Sequence, residues 1–184
     1  MIGDALEYVR RELRTHLDVS DGEVRIDSAR SLNEAGPQGA LITLLNIEEE
    51  AALRNTRQSI ELGGSPHYRE PSVFMNIYLL FSFDFIDYGA CLLNLSRTIE
   101  MFQHRRFLSA ANANPALIFP SGIERLIFEH HNMSFEALNN VWSVLGGEHY
   151  PSVIYKVRLL ELRDVQPTVE ADAITRIDLE TVRR

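Results

Sequence analysis

A single cysteine, Cys91, and a single lysine, Lys156, stand in a chain of 184 residues. With one thiol no internal disulfide can form, and the place of Cys91 on an apolar helix face favours an inert core thiol over a nucleophile. No stretch approaches the roughly 20 consecutive apolar residues that a bilayer span requires. The first residues form a charged amphipathic segment where a secretory signal would carry an apolar one. Membrane insertion is therefore not expected, and the chain is expected to be made and kept in the cytoplasm, at least at first. Glycine pairs occur at Gly63-Gly64 and Gly146-Gly147, but neither has the following Lys-Ser/Thr or the strand-loop-helix setting of a phosphate cradle. Positive charge is also scarce: the net charge is −8 and the pI about 5.2. Nucleic acid, which wants a clustered positive field, is excluded as the main partner.

Of the 18 basic residues, all but Lys156 are arginine. Arginine's planar, weakly hydrated fork suits ion pairs at subunit contacts, although genomic base composition would produce the same bias. At 45% hydrophobic and 24% charged residues the chain is ordinary globular material. Its length suits one domain that buries about 70% of its unfolded surface.

The segment from Ile123 to Glu161 reads as strand, helix, strand and holds the only tryptophan. Ser134 can accept from free amides of the first helical turn, with Glu136 placed towards the positive helix end. Phe135, Leu138, Val141, Trp142 and Leu145 recur at spacings of three and four and gather on one face. Gly146-Gly147 and Pro151 end the helix. The second strand alternates Val153, Tyr155, Val157 and Leu159 with Lys156 and Arg158, so one face is apolar and the other basic.

Upstream, Asp4 and Glu7 have capping-box spacing, and Ile2, Ala5, Leu6, Val9, Leu13 and Leu17 form the stripe of an opening helix that ends at the Asp21-Gly22 turn. Val24-Arg25-Ile26 is a short strand candidate before the Gly36-Pro37-Gln38-Gly39 loop. Ala40 to Ile47 is apolar on nearly both faces, as in a buried central strand. Glu48, Glu49 and Glu50 then open a long polar connection through Gly63-Gly64-Ser65-Pro66, whose length suits a partner-contacting arm. Val73 to Phe83 reads as a strand covered on both faces. From Asp87 the period becomes helical, with Tyr88, Cys91, Leu92, Leu95, Ile99 and Phe102 on one side and Asn94, Arg97, Glu100 and Gln103 opposite. That helix ends at His104-Arg105-Arg106, where cations complement the negative helix end. Residues 1–162 thus make one domain, and 163–184 a polar C-terminal arm that orders on a neighbour or frays.

Chemistry is hard to find. Adjacent residues in a strand point to opposite faces, so His130 and His131 cannot both ligate one ion. The other histidines stand alone, and Asp84 and Asp87 sit where a strand hands over to a helix and read as caps. No catalytic residue, cofactor or metal is expected. The candidate sites are interface residues at the polar ends of buried elements: Glu48, Glu49, Glu50, Arg54, Asn55, Arg105, Arg106, Lys156 and Arg158. Each also has an adequate reading as solvated surface.

The run MSFEALNNVWSVLGGEHYPSVIYKVRLL, with LLNIEEEAALRN, PSVFMNIYLLFSFDF and the helix end IEMFQHRRF, resembles the tail-terminator or tube-cap proteins of phage-tail-like contractile injection systems, of the antifeeding-prophage type. The likeness covers about residues 1–162. It implies an α/β (α+β) domain, with a mixed, largely antiparallel sheet flanked by about three helices. It also implies a structural role: a ring of copies, hexameric, that ends inner-tube and sheath polymerisation and joins the two at the end distal to the baseplate. The implied partners are the chain itself, the inner-tube protein and the sheath protein. Assembly in the cytoplasm, with release in an extracellular particle left open, goes with that role. The rival reading is a small-molecule-binding or enzymatic α/β domain of unknown substrate.

Overall fold

A computed structural model describes residues 2–50, 59–62, 65–68, 74–146, 148–162 and 169–170. The chain begins with helix α1, Ile2–Leu17, whose inward face carries Ala5, Leu6, Tyr8, Val9, Leu13 and Leu17. Asp4 lies within the first turn rather than before it. The helix stops at Leu17, earlier than the Asp21-Gly22 turn, because Asp18 takes the left-handed conformation at φ 57°. On its outer face Glu7 accepts from both Arg10 and Arg11 at 2.8 Å.

The main sheet has six strands: β1 (Val24–Ile26), β2 (Gly39–Glu49), β5 (Met75–Asp84), β8 (Ser152–Leu162), β7 (Ile123–His130) and β6 (Phe107–Ser109), in that spatial order. Only β1 and β2 run parallel, and every other neighbour pair is antiparallel. β2 needs glycine at its first position. Gly39 has φ +80°, and a Cβ there would lie 2.4 Å from the Glu23 carbonyl oxygen.

Helices α1 and α2 (Tyr88–His104) cover one face of this sheet, where Val9, Leu13, Phe81, Phe102, Phe128, Tyr155 and Val157 form the larger core. Phe102 stacks on Phe128 with ring centroids 4.2 Å apart. The other face is partly covered by α3 (Phe135–Leu145) and the short turn Ala29–Asn33, which bury Trp142 against Leu32, Leu41, Leu80 and Ile154. Ser134 caps α3 by accepting from the Ala137 N–H, and Gly146 ends it at φ 70°, as the residue types require. The α+β architecture, with a mixed, largely antiparallel sheet and three helices, is the one the family resemblance implies.

Three expectations need correction. The buried face of α2 is Cys91, Asn94, Thr98, Met101 and Phe102, while Tyr88 and Leu92 are exposed. Asn94 and Thr98 can sit inside because their side chains donate to carbonyls one turn back, at Ala90 (3.0 Å) and Asn94 (2.8 Å). Secondly, β2 is buried only as far as Thr43. β1 pairs with Ala40 to Ile42 alone, so beyond it no described strand covers the outer edge, and Leu44 and Ile47 are exposed. Thirdly, the connection after Glu50 is not all loop: β3 (Ser59–Leu62) and β4 (Ser65–Tyr68) form a hairpin. Within the expected arm, β9 (Val169–Glu170) pairs with Tyr68 and His67 of β4 to complete a second, three-stranded sheet.

Candidate assembly surfaces

The half of the main sheet beyond α3 carries polar side chains, and there the strand alternation changes its meaning. On β8, Ile154 lies under α3, whereas Lys156 and Arg158, two and four residues on, lie beyond it, where Asn76 is buried and Lys156 and Glu50 are mostly covered. Register places Asn76 beside Glu48 and Arg158, and Tyr78 beside Asn46 and Lys156. The side chains bond accordingly. Tyr78 donates to Glu48 at 2.9 Å, Asn76 donates to Glu50 at 2.9 Å, and Lys156 lies 3.8 Å from Glu50. Arg158 donates across to Glu129 on β7, and the ring of His131 meets that of Tyr78 edge-on at 5.1 Å. Burial, and then the bond to Glu48, raise the Tyr78 pKa. Glu48, Glu50, Lys156 and Arg158 are thus brought onto one continuous charged face. Glu49 pairs with Met75 and, by alternation, belongs to the opposite side.

Arg105 turns inward. Its guanidinium bonds both oxygens of Glu12, at 2.9 and 3.1 Å, and also the Asn112 carbonyl at 3.2 Å. Glu12 is 2% exposed, and it also accepts from the Tyr8 hydroxyl and, at 3.1 Å, from the Asn114 N–H. Sequence reasoning missed this residue, yet a signal exists. Tyr8 and Glu12 continue the stripe of Ala5, Val9 and Leu13, and a carboxylate on a core face demands a partner. Arg106, next in sequence, is exposed at the rim of a groove between α2 and β7. Arg54 and Asn55 lie outside the described residues.

His130 meets Tyr155 edge-on at 5.7 Å, on the opposite face from His131 and Tyr78, as strand alternation requires. Among the described residues no group of three or more His, Cys, Asp or Glu side chains is arranged to hold a metal ion, and no helix is long and apolar enough to cross a membrane. Asp87 caps α2 by accepting from Ala90, while Asp84 accepts from the Gln38 N–H and ties down the loop before β2.

The fold is similar to that of the sheath/tube terminator of an extracellular contractile injection system, PVC, in its extended state. There the TM-score is 0.66 at 18% identity, over 99% of this chain and 64% of the other. It is likewise similar to the anti-feeding prophage cap, a tube-terminating cap, with TM-score 0.62 at 15% identity, over 96% of this chain and 60% of that one. The chain therefore spans somewhat under two thirds of the length of either protein. No curated protein sequence matches it significantly. The profile of one family, described as the Pvc16 N-terminal domain, matches residues 4–176. Since that match takes in nearly the whole sequence, the chain belongs to the Pvc16 N-terminal domain family.

Proposed function

We propose that this chain is a structural cap of a contractile injection system, one that ends inner-tube and sheath polymerisation and joins tube to sheath at the end distal to the baseplate. The observation that carries the reading is that two proteins described as terminators share the fold over almost all of this chain, within the family to which it belongs. Their names are theirs; the role passes to this chain as our inference.

The physics needs no catalysis. A tube ring binds the next ring because its two faces differ and are complementary, so growth is open-ended until something binds the last face without offering another. A closed ring of this chain, six-membered to match a sixfold tube, meets that requirement. In this reading the charged half of the main sheet, with Glu48 and Arg158 at its surface, is a docking face. Residues 1–162 act as the body and 163–184 as an arm that adds contacts. The cap assembles in the cytoplasm and leaves the cell only as part of a released particle.

A strain lacking the protein tests the role. Negative-stain microscopy of its particles should show tubes or sheaths of uncontrolled length, or unstable sheaths, on intact baseplates. A normal, tightly distributed length refutes it.

A further inference from the structure

Among the described residues, the outer edge of β7 is covered for only part of its length. β6 pairs with Arg125, Leu126 and Ile127, and one more bond runs from the Phe128 N–H to the Arg106 carbonyl at 2.8 Å, after which the covering chain has left for α2. Peptide groups in an antiparallel strand alternate between its two sides. The Phe128 N–H points outward to Arg106, and the His131 N–H points inward to Ile154 at 2.9 Å, so the N–H and carbonyl of His130 point outward. An uncovered strand end is a template for another strand.

Beside this edge lies a groove of about 520 Å³, walled by Ile99, Phe102 and Gln103 of α2 and floored by Phe128 and Tyr155. The floor is a closed aromatic cluster, with Tyr155 4.9 Å from Phe102 by ring centroid, and burial raises the Tyr155 pKa to about 12. Its one unpaired charge is positive: Arg106 at the rim is exposed and bonds through its side chain to none of the described residues. The one carboxylate among the lining residues, Glu129, is taken up by Arg158.

We infer that this groove receives an extended, acidic segment of a partner protein, alternating apolar and acidic residues. The segment adds a strand at His130, lays an apolar side chain on the Phe102–Phe128–Tyr155 floor, and sets a carboxylate against Arg106. The outward peptide groups ask for main chain, the aromatic floor for an alternate apolar side chain, and the unpaired guanidinium for negative charge. This surface opens on the α1/α2 side of the sheet and meets the charged face of Glu48 and Lys156 only at the β7 edge, through Glu129. The inference stands on the groove alone and needs no tube or sheath.

The test uses the full chain and three fluorescein-labelled, end-capped heptapeptides: valine alternating with glutamate, valine alternating with lysine, and the acidic peptide with a central proline. Fluorescence anisotropy should show the acidic peptide binding at least tenfold more tightly than the lysine one. Arg106→Glu should reverse that preference, Gln103→Glu should weaken the acidic peptide alone, and the central proline should cost tenfold or more by removing a ladder N–H. Both side chains are exposed, so thermal melts should match the parent. Equal binding of the acidic and lysine peptides, or indifference to Arg106→Glu, overturns the charge assignment, and indifference to proline overturns the added strand. If no peptide binds and Arg106→Glu instead abolishes self-association by mass measurement, the occupant is a second copy and the partner assignment falls. None of these outcomes bears on tube length in the deletion strain, so the capping role and this groove fail separately.

Discussion

Arg105, which follows α2, grips Glu12 in the middle of α1 through two bonds, at 2.9 and 3.1 Å, and with the Asn114 N–H and Tyr8 hydroxyl it satisfies a carboxylate that is 2% exposed. The pair joins the first helix to the end of the second and to the loop after β6, with Glu12 lying 93 residues from Arg105 and 102 from Asn114.

Removing one partner of such a pair leaves a buried charge alone. Arg105→Ala should therefore destabilise the fold by about 3 kcal/mol, the low end of the range for buried pairs because the Arg105 side chain is 34% exposed. Burial by itself would raise the Glu12 pKa, but the bonds from Arg105, Tyr8 and Asn114 outweigh it and hold the value below the ordinary 4.5. A folded pKa below the unfolded one gives stability that is complete above the ordinary carboxylate value and is lost as pH falls through the folded one. Urea denaturation at neutral pH and in acid checks both points. The parent should lose stability on acidification while Arg105→Ala, already lacking the pair, loses less, so the two curves converge.

This pair also shows what the sequence could and could not tell. Elements with a clean period were legible: α1, the span of α3 between its serine cap and left-handed glycine, and the alternation of β8; on α3, however, Phe135 reads as part of the apolar face with Trp142 but is 92% exposed. Arg105, as part of a basic helix end, had two meanings that sequence cannot separate, since its partner lies 93 positions away. The face of α2 was misplaced for a related reason. Asn94 and Thr98 look solvent-facing by residue type, but each donates to a carbonyl of its own helix and so can be buried, the Asn94 Oδ1 alone being left without a partner among the described residues. Similarly, Leu44 and Ile47 read as core because apolar residues continue there, whereas burial depends on a neighbouring β1 that ends at Ile26. The charged face was legible residue by residue, as polar ends of strands. That Glu48, Glu50, Lys156 and Arg158 converge followed only from strand order.

Trp142 is 4% exposed and fills the smaller core beneath α3, with its ring 5.7 Å from that of His149. Trp142→Ala should cost roughly 3 to 5 kcal/mol, enough to threaten a domain of ordinary stability. The indole N–H bonds to none of the described residues, so Trp142→Phe loses volume but no hydrogen bond and should cost only about 1 kcal/mol. Equilibrium unfolding of the two variants separates packing from polarity. A stable, cooperatively unfolding Trp142→Ala that only fails to assemble would move this residue from the core to an interface.

The charged half-sheet calls for a variant that changes docking without changing the fold. Lys156 and Glu50 are 25% and 22% exposed at the side chain and 3.8 Å apart, and Arg158 and Glu129 are about 40% exposed. Solvent screens the Arg158–Glu129 pair, which contributes at most about 1 kcal/mol, whereas Lys156 and Glu50 are mostly covered. Reversing the exposed Glu48 to Lys should therefore leave the melting transition nearly unchanged, while Lys156→Glu, which sets two carboxylates side by side, should lower it. Across an interface the same reversal sets like charges against each other without the freedom to turn away, and it should lower incorporation into particles and broaden their length distribution. The pair Glu50→Lys with Lys156→Glu restores the local attraction while keeping the reversed pattern towards a partner. If assembly stays poor in that double variant while the fold is intact, the face is read by a partner. If it recovers, the pair matters only for holding β2 against β8, and the docking surface must be sought elsewhere.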